Sequence, residues 1–157
     1  MKEFIVTELA LPPSVSRSGD ASEGVFDLSN KNLHQCIGCW TCWFKTPGCC
    51  VFKDLNEFYK GYLSADRVTF YLLVSQGFVT SNMKALIDRM IPFVLPYISW
   101  ATGESLHELR YTHYPEVDVF YQGEFLPGEE DAFVAYWKRT LSMMSAPRIS
   151  VQRYSEG

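Results

Sequence analysis

"RVTFYLLVSQGFVTSNMKALIDRM", residues 67–90, decides the fold. Its first nine residues are nearly all apolar and rich in β-formers. Such a run, flanked by helical patterns, predicts a strand buried on both faces of a parallel sheet. "QGFVTSN" reads as a loop in which Thr80, Ser81 or Asn82 caps the next helix. Met83, Leu86, Ile87, Met90 and Ile91 form that helix's buried stripe, and Pro92 and Pro96 end it.

Upstream, Asp54 with Glu57 three residues later has the form of a capping box. Leu55, Phe58, Tyr59, Tyr62 and Leu63 supply the helical stripe behind it, weakened slightly by Gly61. "EFIVTELAL" from residue 3 and "VFDLS" from residue 25 read as strands. Downstream, residues 97–114 look irregular, "EVDVFYQG" reads as a strand, "GEEDAFVAYWKRTLSMM" as a helix and "RISVQRY" as a last strand. The alternation predicts an α/β fold with a mostly parallel sheet and one domain over residues 1–157. Only about fifteen residues, rich in Pro, Ser and Gly, separate the first two strands, where a parallel pair usually needs a helical crossover. No helical stripe is visible there, so the first crossover helix is expected to be missing.

The net charge is −4 and no Lys/Arg-rich run occurs, which leaves no footprint for nucleic acid or an anionic membrane. Apolar runs are broken by Pro92 and Pro96 well short of a bilayer span. Glu3 and Glu8 interrupt the N-terminal apolar stretch, unlike a signal peptide. A cytoplasmic location is expected, and in that reducing compartment cysteines act as thiols or metal ligands.

All five cysteines lie in "QCIGCWTCWFKTPGCC", residues 35–50. Cys36, Cys39 and Cys42 are spaced CxxCxxC, followed by Cys49 and Cys50. Four thiolates so spaced can hold an iron–sulfur cluster or zinc, with Gly38, Pro47 and Gly48 permitting tight turns. The same segment also reads as a packed, cysteine-rich turn. Trp40, Trp43 and Phe44 crowd between the thiols and suit an interface loop, so five free thiols, no metal ligand and a two-fold homodimer are the expectation. His34, His107 and His113 have no ligand spacing, Asp88 with Arg89 reads as a structural ion pair, and Glu129, Glu130 and Asp131 as helix-start charges.

"CIGCWTCWFKTPGCCVFKDLNEF" resembles the segment after the second strand in the NADPH-dependent FMN reductase family, including its iron–sulfur flavoprotein members. "SADRVTFYLLVSQGFVTSNMKALIDRM" resembles that family's third strand, flavin-ring loop and following helix, with Gly77, Thr80, Lys84, Asp88 and Arg89 at the patterned positions. The likeness runs from about residue 25 to residue 92. It implies a flavodoxin-like fold with FMN at the carboxyl ends of the strands. It also implies an FMN-dependent NAD(P)H oxidoreductase acting on a small-molecule acceptor, often as a dimer. The residues so placed against the cofactor are Val74, Ser75, Gln76, Gly77 and Phe78, with Cys36, Gly38 and Cys39; no side chain need be a catalyst, because the flavin carries the hydride.

The chain departs from the family at two places. The phosphate loop reads "ALPPSVSRSGDAS", with Pro12 and Pro13 and only Ser14, Ser16, Arg17 and Ser18 as side-chain donors. Leu73 and Ser75 stand where the family has a proline and an aromatic, with Phe78 near enough to substitute. A cofactor-free flavodoxin-like subunit, pairing with a complete homologue, and a cysteine-ligated metal module are the alternatives. If FMN binds, weak binding is expected.

Overall fold

Residues 67–75 form the strand on which the sheet is assembled. The computed structural model describes residues 1–10 and 24–155. In chain order its elements are β1 (Glu3–Thr7), β2 (Gly24–Asp27), the single turn α1 (Thr41–Phe44), α2 (Asn56–Ser64), β3 (Arg67–Ser75), β4 (Phe78–Val79) and α3 (Ser81–Asp88). A 3₁₀ turn (Ile91–Phe93) follows, then β5 (Val94–Ser99), β6 (Leu106–Leu109), β7 (Glu116–Gln122), α4 (Glu129–Met143) and β8 (Ile149–Arg153). The five main strands are parallel in the order β2-β1-β3-β7-β8, and β4 folds back antiparallel on the end of β3. Taken as parallel strands in chain order, this is the flavodoxin-like arrangement. The crossover from β1 to β2, with Ser14, Ser16, Arg17 and Ser18, lies outside the described residues. Among the described residues no helix is long and apolar enough to cross a membrane.

The connections from β2 to β3, β3 to β7 and β7 to β8 all step the same way along the sheet. Right-handed crossovers therefore put α2, α3 and α4 on one face. Val68, Phe70, Leu72, Val117 and Val119 point into that face and are fully buried. Phe58 of α2 packs on Phe4 at 6.4 Å between ring centres, and Trp137 of α4 on Phe70 at 5.5 Å.

The opposite face corrects the expectation of a strand buried on both sides. Leu73 is 43% exposed. Arg67 pairs with Glu116 at 3.2 Å and Asp118 at 3.5 Å, and Arg148 bridges the same two acids at 3.0 Å. The apolar composition of β3 reflects one buried helix-covered face, plus a second face where Tyr71 stacks on Phe120.

Residues 97–114, expected to be irregular, contain part of the antiparallel pair β5–β6, in which Ile98 lies opposite His107. Pro96 sits inside β5, which hid the strand from a pattern reading. The Thr80 cap is present, its hydroxyl accepting from the Met83 N–H at 3.1 Å.

Gly61 in α2 is set by packing. A Cβ there would overlap the ring of Phe4, which is itself buried between strands and helix. In a free helix Gly→Ala gains about 1 kcal/mol. Here Gly61→Ala is expected to destabilise instead, by about 1–3 kcal/mol from overpacking, as read by urea denaturation.

Candidate functional site

β1 and β3 are neighbours whose chains leave in opposite directions, so the switch point of the sheet lies at their carboxyl ends. Glu8, just past β1, reaches into it. Its carboxylate accepts the Leu73 N–H at 3.1 Å and a short hydrogen bond from the Thr80 hydroxyl. Burial pushes the Glu8 carboxyl up, against the pull of these two hydrogen bonds. Beyond β3 the chain reverses through Gln76 (φ 50°) and Gly77 (φ 72°). A Cβ on Gly77 would meet the Glu129 carboxylate, so both the turn and the close approach require glycine.

This turn borders a cleft lined by Val74, Gln76, Gly77, Glu124, Phe125, Leu126 and Glu129. Three of the expected flavin contacts are thus brought together. Ser75 and Phe78 are not in the lining: they pair with each other across β3 and β4, and Phe78 packs edge-on against Tyr136 at 4.8 Å. Phe125, Glu124 and Glu129 come from the β7–α4 loop and helix start, which no spacing in the sequence linked to residue 77. The apolar groups and the exposed peptides of the turn fit a planar ring. The lining carries carboxylates and no cation, so among the described residues nothing there neutralises a phosphate.

Cys36, Gly38 and Cys39 line a different cleft, with Ile37, Trp40, Cys42, Cys50, Val51, Phe52, Arg89 and Pro92 among its walls. The expected cofactor residues therefore divide between two places. Cys36, Cys39 and Cys49 are exposed, whereas Cys42 and Cys50 are half-buried. Among the described residues no three His, Cys, Asp or Glu side chains gather as a metal-holding group. The Thr41 hydroxyl and N–H hydrogen-bond the Cys39 sulfur and pull its pKa down, while burial and then the neighbouring Cys50, Cys39 and Cys36 push Cys42 up.

The aromatics of this segment do not share one role. Trp43 is buried and its indole N–H donates to the carbonyls of Ile91 and Val94 at 3.1 and 3.0 Å. Trp40 and Phe44 remain 55% and 71% exposed. Trp43 also meets His107 of the β5–β6 pair, beside which Tyr97 and Trp100 are exposed as well.

Arg89 fixes the segment from below. Asp88 pairs with Lys84, and Arg89 not with Asp88 but with Asp54 at 2.6 Å. Its guanidinium also donates to the carbonyls of His34 and Phe52 at 3.0 and 3.2 Å. Asp54 is consequently no helix cap: the cap position is Leu55, without a side-chain hydrogen bond. Burial opposes the Asp54 charge, but hydrogen bonds from Arg89 and from the His34 backbone and ring hold its carboxyl well below the usual range.

No family model matches the chain. Over 64 residues it is 38% identical to an iron–sulfur flavoprotein of Methanocaldococcus jannaschii, a match covering 41% of this chain and 32% of that protein. The chain thus matches about a third of that relative's length. An azoreductase from Bacillus anthracis has the same fold, with a TM-score of 0.61 at 11% identity, over 98% of this chain and 86% of that one. Smu.1420 from Streptococcus mutans superposes with a TM-score of 0.60 at 14% identity, over 98% and 87%. An FMN-dependent NADH-azoreductase of Bacillus anthracis in complex with FMN gives 0.53 at 13% identity, over 98% and 86%. The fold is flavodoxin-like, and the likeness to iron–sulfur flavoproteins extends to this curated relative.

Asp54→Asn leaves the buried Arg89 guanidinium without its charged partner and should cost about 3–5 kcal/mol in urea denaturation, and Arg89→Met, which leaves the half-buried Asp54 carboxylate unmatched, should cost less. Replacing both by apolar residues should cost less than the two single changes added together. Because Asp54 is depressed in the folded state, its contribution is complete above the unfolded value and fades as pH falls below about 4. The acid loss should be shallower in Arg89→Met.

Proposed function

We propose that this chain is a flavin-binding oxidoreductase whose cofactor ring lies at the carboxyl end of β3. The observation that carries this reading is the switch-point cleft, where the left-handed pair Gln76–Gly77 faces Phe125 and Leu126. A bound flavin supplies hydride transfer between NAD(P)H and a small-molecule acceptor. Val74, Phe125 and Leu126 would line one end of the ring's site, and the peptide groups of residues 76 and 77 would be available to hydrogen-bond it. The flavoprotein relative and the FMN-holding azoreductase of the same fold support the cofactor class.

Glu124 and Glu129 in the cleft and Glu8 beneath the switch point set the expected preference. They disfavour a phosphate dianion there, so the ring supplies most of the affinity. The five cysteines act as free thiols. Ile37, Trp40 and Phe44, with Tyr97 and Trp100, are exposed aromatic and apolar side chains suited to a two-fold contact with a second copy in the cytoplasm.

The visible absorption of purified protein should show an oxidised flavin after incubation with FMN or riboflavin. Titration by flavin fluorescence should give dissociation constants for the two within about a factor of ten, or about 1.4 kcal/mol. A large preference for FMN would assign residues 14–18 a working phosphate site; binding of neither would leave the cofactor-free subunit as the account. Light scattering at micromolar concentration should give a dimer. Elemental analysis should find no stoichiometric iron or zinc, and a metal lost on Cys39→Ser would reverse the free-thiol reading.

A further inference from the structure

Glu8 leaves β1 with its backbone still on the sheet, its N–H donating to the Tyr71 carbonyl at 2.9 Å. The Thr7 hydroxyl accepts the Leu9 N–H at 3.0 Å and donates to the Leu9 carbonyl at 2.7 Å, closing a tight bend over Glu8. The Glu8 side chain crosses the end of β3. One carboxylate oxygen accepts the Leu73 N–H at 3.1 Å and the other the Thr80 hydroxyl. These two donors stand on either side of the Val74–Val79 hairpin that borders the switch-point cleft. The clasp holds a carboxylate at the residue next to Val74, a wall of that cleft. Two properties of this group are not used by the fold. A carboxylate offers about four acceptor positions, and among the described residues two are taken. Glu8 is half-buried, yet none of the ion pairs among the described residues includes it. Burial without a counter-charge pushes its pKa up, against the pull of its two hydrogen bonds. Such a group fits a ligand that brings hydroxyls, which donate to the free positions and add no charge. It opposes a phosphate dianion, which brings charge of the same sign and no donor.

We infer that Glu8 is the specificity residue of the switch point: it accepts the ribityl hydroxyls of an unphosphorylated flavin and turns away the phosphate of FMN, so that riboflavin or another neutral polyol flavin is the preferred ligand. This rests on the flavin reading above, with the ring beside Val74 and Gly77, and adds to it the residue that reads the chain attached to the ring. A chain that leaves the ring toward β1 crosses the end of β3 at Glu8, because the Leu73 N–H that Glu8 holds is one residue from the cleft. Glu124 and Glu129 in the cleft act in the same direction on charge. Glu8 alone combines that charge with a fixed position between β1, β3 and the start of α3.

The test titrates the full-length unsubstituted protein and Glu8→Gln with lumiflavin, riboflavin and FMN at neutral pH, followed by flavin fluorescence. The unsubstituted protein should bind riboflavin about tenfold more tightly than lumiflavin, which has the ring without the chain, and no more weakly than FMN. In Glu8→Gln lumiflavin should bind as before, while the advantage of riboflavin over lumiflavin shrinks to about threefold or less. The ratio of FMN to riboflavin affinity should shift about tenfold toward FMN. The first three titrations need no variant to fold. Urea denaturation without flavin checks the charge itself. A carboxyl whose folded pKa lies above its unfolded value contributes stability at low pH that is lost as pH rises through the folded value. Glu8→Gln has no such loss, so its stability relative to the unsubstituted protein should rise between about pH 4 and about pH 7. A relative stability that stays flat or falls over that range would mean that the charge is already answered, and would overturn the assignment. Equal binding of lumiflavin and riboflavin, a preference of the unsubstituted protein for FMN, or an FMN ratio unmoved by Glu8→Gln overturns it and leaves the ring site standing. Binding of no flavin at all removes the flavin reading and this assignment with it.

Discussion

A guanidinium taken out of water needs acceptors for its N–H groups, and Arg89 finds three in the chain that precedes α2, while among the described residues its Nε–H has none. Its side chain is 1% exposed and reaches Asp54 together with the carbonyls of His34 and Phe52. Those acceptors flank the cysteine segment on both sides, so one charge at the end of α3 fixes where that long connection starts and stops. Tyr59 of α2 adds its hydroxyl to the Arg89 carbonyl at 2.8 Å, and His34 stacks on Phe52 at 4.4 Å. Trp43 then anchors the middle of the segment through its indole. Within these fixed points Cys36, Cys39, Cys49 and the exposed aromatics are held at the surface, while Cys42 and Cys50 pack against the core.

The consequence is a molecule with two separate chemical regions. The switch-point cleft is bordered by a left-handed turn and by carboxylates. The thiol cleft is bordered by apolar rings and backed by the one buried guanidinium among the described residues. Glu8 adds a further constraint, since its carboxylate takes up the Thr80 hydroxyl and the Leu73 N–H that border the switch point. Those donors are committed before any ligand arrives.

Much of this was legible in the residues themselves. A continuous apolar run placed β3, alternation β7 and a 3.6-residue stripe α3, because burial demands those periods whatever the partners are, and acids at its start with Lys138 and Arg139 near its end marked α4. Thr80 was one of three residues that could cap α3, and the fold selects it, its hydroxyl accepting from the Met83 N–H. The cysteine spacing and the Gly77 turn were visible as motifs. Asp54 misled, for a carboxylate ahead of a helical stripe has the same sequence pattern whether it caps the helix or answers an arginine 35 residues away.

What the sequence alone determined is therefore most of the local structures, without the β5–β6 pair, and the parallel α/β class. Both follow from short-range geometry and the period with which apolar side chains must be buried. Tertiary structure alone decided that β3 has one helix-covered face and one bearing ion pairs, since that depends on the common direction of its crossovers. It alone separated Val74, Gln76 and Gly77 from Cys36, Gly38 and Cys39, and brought Glu124, Phe125 and Glu129 to the former. It alone gave Arg89 its partners. Charges, clefts and cross-chain contacts depend on distance in space, and residues far apart in the chain leave no periodic trace of the distance at which they will meet.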